Sequence, residues 1–330
     1  MPSEMPPETH IRRAGPRDAE TIARMVTALS EAEGGPAPHF DALACRRDGF
    51  GAKPCFEVLL AEIGGRPAGY ALFHPSYDTD RVVRAAYLCD LYVEAWARGL
   101  GLGHLLAASA ARLAAATGAE AMHWTVLRRN TAARRFYDRF ARVDTALLHC
   151  VADAPALGRL AGEVRRPAMA IRPAKAADAP VLAELMLRLY LALGEPAPGG
   201  DFAPRLAAHG FGPAPCFEAL IAEPGPGAPA AGYALFWPIY DTETGGPLMF
   251  LSDLYVEEDW RGSGLALALM AAVAARALAL GHKGMVWEVL ERNLRARAFY
   301  RRMAQESDEA LVVNCAEEDF RRLAAAGLAL

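Results

Sequence analysis

The sequence predicts two tandem α/β domains, each an α+β mixed sheet: one central, mostly antiparallel sheet with helices on both faces. Three observations carry this. The chain repeats itself once, at an offset of about 160 residues. Within each copy an apolar meander precedes a strand, a glycine-rich turn and a helix. The 330 residues suffice for two cores of ordinary size. The first domain is placed at 9–165 and the second at 169–330, with the join near Arg165-Arg166-Pro167.

The repeat is legible motif by motif. Ile11-Arg12-Arg13-Ala14 is echoed by Ile171-Arg172-Pro173-Ala174. Gly49-Phe50-Gly51 with Pro54-Cys55-Phe56-Glu57 returns as Gly210-Phe211-Gly212 with Pro215-Cys216-Phe217-Glu218. Tyr77-Asp78-Thr79 returns as Tyr240-Asp241-Thr242, and Asp90-Leu91-Tyr92-Val93-Glu94 as Asp253-Leu254-Tyr255-Val256-Glu257. Asn130 and Phe136-Tyr137 return as Asn293 and Phe299-Tyr300. A period of full domain length indicates duplication, not a solenoid of short units.

One pass serves both copies. Residues 17–31 place Ile22, Met25, Val26 and Leu29 at helical spacing, with Asp18 where an N-cap is useful. Residues 56–63 and 68–74 read as strands of a hairpin turned at Gly64-Gly65. Residues 86–93 form another apolar strand. A glycine-rich turn over 98–103 then opens a helix built on Leu105, Leu106, Ala110 and Leu113. Met122 to Leu127 is a strand, Asn130 opens a helix holding Phe136 and Tyr137, and Ala146 to Val151 is a last strand followed by a short helix.

Composition excludes several classes. The formal net charge of −4 supplies no basic surplus for nucleic acid. No apolar run approaches the roughly 18 residues of a membrane span. The opening MPSEMPPETH lacks the form of a signal peptide, so a cytoplasmic protein is expected. The six cysteines (Cys45, Cys55, Cys89, Cys150, Cys216, Cys315) form no C-x-x-C pair and are expected to be buried small hydrophobes. The scattered histidines offer no metal motif.

The turns carry the chemistry: Arg98-Gly99-Leu100-Gly101-Leu102-Gly103 and Arg261-Gly262-Ser263-Gly264-Leu265-Ala266. Each follows a strand and opens a helix, where backbone N–H groups lack intrahelical partners and the helix dipole is positive. Such a turn suits a pyrophosphate, and glycine or alanine lets the phosphates approach. Each charge-assisted hydrogen bond is worth about 1.5–3 kcal/mol. No Lys-Ser/Thr pair follows, as a Walker loop requires, and no βαβ start precedes it, as a dinucleotide fingerprint requires.

The spacing R-x-x-G-x-G/A after D-L-Y-V-E resembles the coenzyme A motif of the GNAT acetyltransferase superfamily. Added to it, the motifs I-R-x-A, G-F-G, P-C-F-E, Y-A-L-F, Y-D-T, W-x-V-L-x-R-N and A-R-x-F-Y are similar to the spermidine/spermine branch, with its diamine- and thialysine-acetylating relatives. The resemblance covers nearly all of both halves. It implies two acyl-CoA N-acyltransferase domains using acetyl-CoA as co-substrate, with no metal. Arg98, Gly99, Gly101 and Gly103, and Arg261, Gly262, Gly264 and Ala266, would hold the pyrophosphate. The backbone of Leu91, Tyr92 and Val93, and of Leu254, Tyr255 and Val256, would pair with the pantetheine arm. Asn130 and Asn293 match an asparagine that touches the coenzyme, although asparagine is also among the best N-caps.

Tyr137 and Tyr300 match the family tyrosine that protonates the departing thiolate; such help is typically about 10²–10⁴-fold. An alkyl ammonium has a pKa of about 10.4, so the substrate must lose a proton before it attacks. The family places a glutamate just before the strand aspartate, and this sequence has Cys89 and Ser252 there. Asp90, Asp253, Asp78 and Asp241 remain as substrate-binding candidates, with Glu62 and Glu223 as further acids. The resemblance implies direct acetyl transfer to a small primary amine: a polyamine, a diamine or a lysine-like amino acid. Another amine, such as an aminoglycoside or a protein lysine, and a non-catalytic coenzyme A-binding module are the alternatives left open. Relatives of one-domain length pair, so an internal pseudo-dimer of the halves is expected, with a homodimer as a further possibility. Tandem members often keep one working site. The halves differ at Ser30-Glu31-Ala32-Glu33 against Leu191 to Glu195, at His74 against Trp237, and at Arg128 against Glu291.

Overall fold

A computed structural model describes residues 8–163, 170–225 and 228–330; the expected join near Arg165-Arg166-Pro167 lies outside them. The first half contributes β1 (Thr9–Arg13), α1 (Ala19–Glu33), the short α2 (Ala42–Ala44), β2 (Glu57–Ile63), β3 (Arg66–Asp78), β4 (Val83–Val93), α3 (Leu102–Ala116), β5 (Ala121–Leu127), α4 (Thr131–Tyr137), β6 (Arg142–Asp144), β7 (Leu147–Ala152) and α5 (Ala154–Gly162). The second contributes β8 (Ala170–Pro173), α6 (Ala179–Leu193), α7 (Ala203–Phe211), β9 (Glu218–Glu223), β10 (Gly232–Asp241), β11 (Gly246–Val256), α8 (Leu265–Ala279), β12 (Met285–Leu290), α9 (Leu294–Tyr300), β13 (Gln305–Ser307), β14 (Ala310–Ala316) and α10 (Glu317–Ala325). Among the described residues no helix is long and apolar enough to cross a membrane.

The expected elements form, with boundaries adjusted for identifiable reasons. The hairpin turns at Gly64-Gly65, both at positive φ (58° and 74°), as a tight two-residue connection requires. Asp18 stands at the N-cap of α1 but does not cap it. Its carboxylate accepts from the Gly15 amide at 2.8 Å and pairs with Arg12 at 2.8 Å, closing a 3₁₀ turn ahead of the helix. Asp178 repeats this with Lys175 and Arg172.

The described residues form two seven-stranded sheets, ordered β1-β2-β3-β4-β5-β14-β6 and β13-β7-β12-β11-β10-β9-β8. Each has one parallel pair, β4 with β5 and β11 with β12; the other pairings are antiparallel. The halves in sequence are therefore not the halves in space. Strand β7, from the first half, pairs with β12 over Leu147–Ala152, and the C-terminal β14 pairs with β5 over Ala310–Ala316. The following helices go with them. Leu157 and Leu160 of α5 are buried in the core with Leu269 and Val273 of α8, and Phe320 and Leu323 of α10 in the core with Leu106 and Ala110 of α3.

A second reciprocal exchange occurs at the Tyr-Asp-Thr segments. Tyr240 is buried in the first half, its ring 4.6 Å from Phe56 and its hydroxyl donating to Asp48 at 2.9 Å. Tyr77 is buried in the second half, its ring 4.9 Å from Phe217 and its hydroxyl 3.2 Å from Nδ1 of His209. Aromatic pairs of this kind contribute about 0.5–1.5 kcal/mol beyond their buried area. The repeated Gly-Phe-Gly and Pro-Cys-Phe motifs thus build sockets for the opposite half's tyrosine.

The cysteines correct one expectation. Cys45, Cys150 and Cys315 are buried, but Cys89 and Cys216 are half-buried and Cys55 is exposed. Arg84 explains Cys216: its guanidinium donates to Sγ at 2.9 Å across the junction between halves.

Candidate active sites

Each sheet opens at the same place. β4 and β5 pair only from Ala85↔Ala121 to Tyr87↔His123, although β4 runs on to Val93 and β5 to Leu127. β11 and β12 likewise pair only from Met249↔Met285 to Leu251↔Trp287. Past those points the parallel strands part and leave a cleft between them. The expected pantetheine positions, Leu91 to Val93 and Leu254 to Val256, lie on its wall. Their other edge is paired to β3 or β10.

A β-bulge sits at the mouth of each cleft. Leu72 opposes Asp90 and Phe73 opposes Leu88, so Cys89 is the extra residue; Ser252 is the extra residue between Leu251 and Asp253. Bulges re-aim side chains beside active sites. They turn Asp90 and Asp253 into buried pockets. Tyr70 donates to Asp90 Oδ2 at 2.9 Å, and Thr242, from the opposite half, donates to Oδ1 at 3.1 Å. Tyr233 donates to Asp253 Oδ2 at 2.8 Å and Ser252 to Oδ1 at 2.8 Å. The Thr79 hydroxyl, again from the opposite half, lies 3.0 Å from that of Ser252. Burial pushes the Asp90 carboxyl up to about 7 and Asp253 to about 6, with these hydrogen bonds opposing the rise.

The glycine turns close the far end of each cleft. Gly99 and Gly101 have φ of 81°, and Gly262 and Gly264 have φ of 84° and 89°, values an L side chain adopts only with strain. A Cβ at any of these four would meet nothing within 4 Å, so the space above the turn is open. The residues that follow start α3 and α8, whose first amides lack intrahelical partners by helix geometry. Arg98 Nε donates to the Val93 carbonyl at 2.9 Å, and Arg261 Nε to Val256 at 3.1 Å, clamping turn to strand. Gly103 and Ala266 lie in the first helical turn; a Cβ at Gly103 would sit 3.5 Å from Phe136, an ordinary contact, so alanine is accommodated there. In the second copy Ser263 Oγ accepts from the Leu265 amide at 3.3 Å, a bond Leu100 cannot offer the first. The open glycine cradle, the helix start and the parted strands together fit a pyrophosphate with an extended arm.

Tyr137 and Tyr300 end α4 and α9. Their rings pack on Trp124 (5.0 Å) and Trp287 (5.3 Å), next to Phe136 and Phe299. Burial holds both phenols well above their usual value, so each stays protonated at neutral pH. Asp90 and Glu33 are close enough to raise Tyr137 further. Asn130 and Asn293 cap these helices through Oδ1, accepting from Ala133 at 3.0 Å and Ala296 at 3.1 Å. Glu33 lies beside Asn130, and burial pushes its carboxyl upward while Asn130 opposes the rise.

The other candidate acids are tied up. Asp78 accepts from Arg81 at 3.0 Å and faces His123 at 3.5 Å. Asp241 accepts from the Thr244 amide at 2.9 Å in its own loop. These two hold in shape the loops that carry Thr79 and Thr242 into the opposite site. Glu62 and Glu223 pair with Arg12 (2.8 Å) and Arg172 (2.6 Å) at the sheet edges, away from the clefts. The His74/Trp237 difference is a packing difference: His74 stacks on Tyr87 at 5.4 Å, burial lowering it to about 4, and Trp237 packs on Phe250 at 5.0 Å. Arg129 and Arg292 donate to the last carbonyls of α1 and α6, at Glu33 (2.7 Å) and Leu193 (2.8 Å), fixing the helix ends beside each site.

Sequence reasoning missed the crossing threonines and one acid. Glu288 follows Trp287 on β12, where Thr125 stands in the first half, and its Oε1 is 3.7 Å from Nδ1 of His149 on β7. A charged residue inside the apolar strand Met-Val-Trp-Glu-Val-Leu was the available signal.

A profile of the acetyltransferase (GNAT) family matches residues 22–141 and 195–304. A thialysine N-epsilon-acetyltransferase from Sus scrofa is 38% identical over 112 residues, covering 32% of this chain and 65% of that protein. The Bos taurus protein of the same name is 33% identical over 143 residues, 41% of this chain and 84% of its own length. Among solved structures, a GCN5-related N-acetyltransferase from Sphaerobacter thermophilus aligns with a TM-score of 0.52 at 21% identity, over 94% of this chain and 96% of that one. A tandem GNAT protein from the clavulanic acid biosynthesis pathway gives 0.51 at 18% identity, over 94% and 99%.

Proposed function

Because the chain belongs to the acetyltransferase (GNAT) family, we propose that it transfers an acetyl group from acetyl-CoA to the primary amine of a small molecule, by direct attack and without an acyl-enzyme. The acceptor class is a polyamine, a diamine or a lysine-like amino acid. The observation that carries this is the duplicated cleft: parted parallel strands, an open glycine cradle at a helix start, and a buried tyrosine beside the opening.

The coenzyme supplies a thioester whose acyl carbon an amine can attack. The amides of the turns bearing Gly99, Gly101 and Gly103, and Gly262, Gly264 and Ala266, with Arg98 and Arg261 beside them, bind its pyrophosphate. The free edges at Leu91 to Val93 and Leu254 to Val256 align the arm. Asn130 and Asn293 have spent Oδ1 on their helices and keep an amide N–H to donate. Tyr137 and Tyr300 donate a proton to the leaving sulfur, and their raised values keep that proton available.

In the first site Asp90 draws in the cation and accepts a proton. Its value of about 7 suits a base working near neutrality, and Glu33 adds charge at the rim. Residues from both halves complete each site, so the chain works as an internal pseudo-dimer. A screen of thiol release from acetyl-CoA over polyamines, diamines, lysine analogues, an aminoglycoside and a lysine peptide tests this. Turnover is expected with the small aliphatic amines. Silence across the panel would reject the function, and turnover confined to the aminoglycoside or the peptide would replace the acceptor.

A further inference from the structure

The two sites differ where the proton must go. Ser252 takes the family's glutamate position in the second half as Cys89 does in the first, and Asp253, like Asp90, is buried with both oxygens accepting, so the difference lies on the facing wall. Glu288 stands on the facing wall. Its neighbour Trp287 makes the last pair with β11, so Glu288 is the first residue of β12 inside the cleft. Alternation along the strand directs it away from Trp287, which packs on the α8 side, and so to the face that carries Asp253. Its side chain is 23% exposed, enough to meet a ligand.

We propose that Glu288 is the proton acceptor of the second site. The inference rests on the function proposed above. The alkyl ammonium N–H bond breaks, its proton bonds to a carboxylate oxygen of Glu288, and the nitrogen lone pair is freed. Thioester plus ammonium gives amide plus thiol plus one proton, and Glu288 passes that proton to the water of the open cleft.

The surroundings suit this. His149 on β7 lies 3.7 Å from Glu288, and Asp80 in the loop from the first half, Asp144 at the end of β6 and Tyr87 on β4 are near enough to interact with it electrostatically. Asp80 accepts from the Tyr190 hydroxyl at 2.7 Å and follows Thr79, which touches Ser252. Burial, with Asp80 and Asp144 adding like charge, pushes Glu288 up to about 8, while burial lowers His149. The carboxylate fraction therefore grows as pH rises through about 8. The first half has Thr125 and Val312 at the two equivalent positions and lacks this pair.

The test uses the full chain with Tyr137→Phe, so that the second site dominates turnover. Adding Glu288→Gln is expected to cut kcat/KM for an alkyl diamine by about 100-fold or more and remove the pH limb near 8. Glu288→Asp should recover part of the rate, and acetyl-CoA affinity should not move. With a fluorinated amine already neutral at assay pH, Glu288→Gln should cost less than about tenfold. Equal losses with both amines, an unchanged rate, or a Tyr137→Phe chain without turnover while the wild type works would each overturn the assignment. A wild-type chain that acetylates no amine would remove the proposed function, and this base with it.

Discussion

Shortening Leu311 to alanine should loosen the first half of the molecule, although the residue lies near the opposite end of the chain. Leu311 is fully buried in the core built by α3, β5 and Trp124, and pairs with Val126 of β5. A buried Leu→Ala change costs about 2–5 kcal/mol. Where exchange follows the opening equilibrium, that corresponds to about 30- to several-thousand-fold faster hydrogen exchange. Peptides covering 121–127 should lose protection first, and peptides covering 285–290 least. Leu148→Ala in β7 should give the mirror result, since Leu148 pairs with Val289 of β12. Hydrogen exchange read by mass spectrometry resolves both segments. Loss of protection confined to 285–290 in Leu311→Ala would refute the exchanged-strand topology.

Two further outcomes follow from the sites. Thr242→Val removes a hydrogen bond that favours the Asp90 carboxylate, so the Asp90 value should rise above about 7. The acid limb of kcat/KM, where activity falls as Asp90 protonates, should then move to higher pH in the first site, measured in a Tyr300→Phe chain; an unmoved limb would separate Thr242 from that site. Gly101→Val places a β-branched residue at a φ of 81°, at a cost of about 1–2 kcal/mol, and fills the open space over the turn. Acetyl-CoA should bind at least tenfold more weakly to that half, as read by calorimetry, while Gly103→Ala should bind as before because Ala266 already serves in the second copy.

Much of the fold was legible because the repeat doubled every signal. The helix expected over 17–31 is Ala19–Glu33, shifted because Pro16–Asp18 form a 3₁₀ turn held by Arg12. The strand expected over 68–74 runs to Asp78, past Pro75, because Tyr77 extends it into the opposite half. The strand expected over 146–151 is Leu147–Ala152, but its partner was not legible. Alternation tells which face of a strand is buried and says nothing about which neighbour buries it. The same blindness hid Thr79 and Thr242, whose work is done in the other half. Asp78 and Asp241 stood out as a repeated acid, yet the repetition preserves a loop shape. Glu288 went unnoticed because its counterpart is Thr125, and a search keyed to what both copies share passes over what one copy has alone.

The most direct measurement is a calorimetric titration of the intact chain with acetyl-CoA, run alongside turnover of the Tyr137→Phe, Tyr300→Phe and doubly substituted chains. Saturation is expected at two coenzymes per chain, retained in all three variants, with turnover partly lost in each single variant and reduced about 100-fold or more in the double. Absence of binding, or undiminished turnover in the double variant, would contradict it.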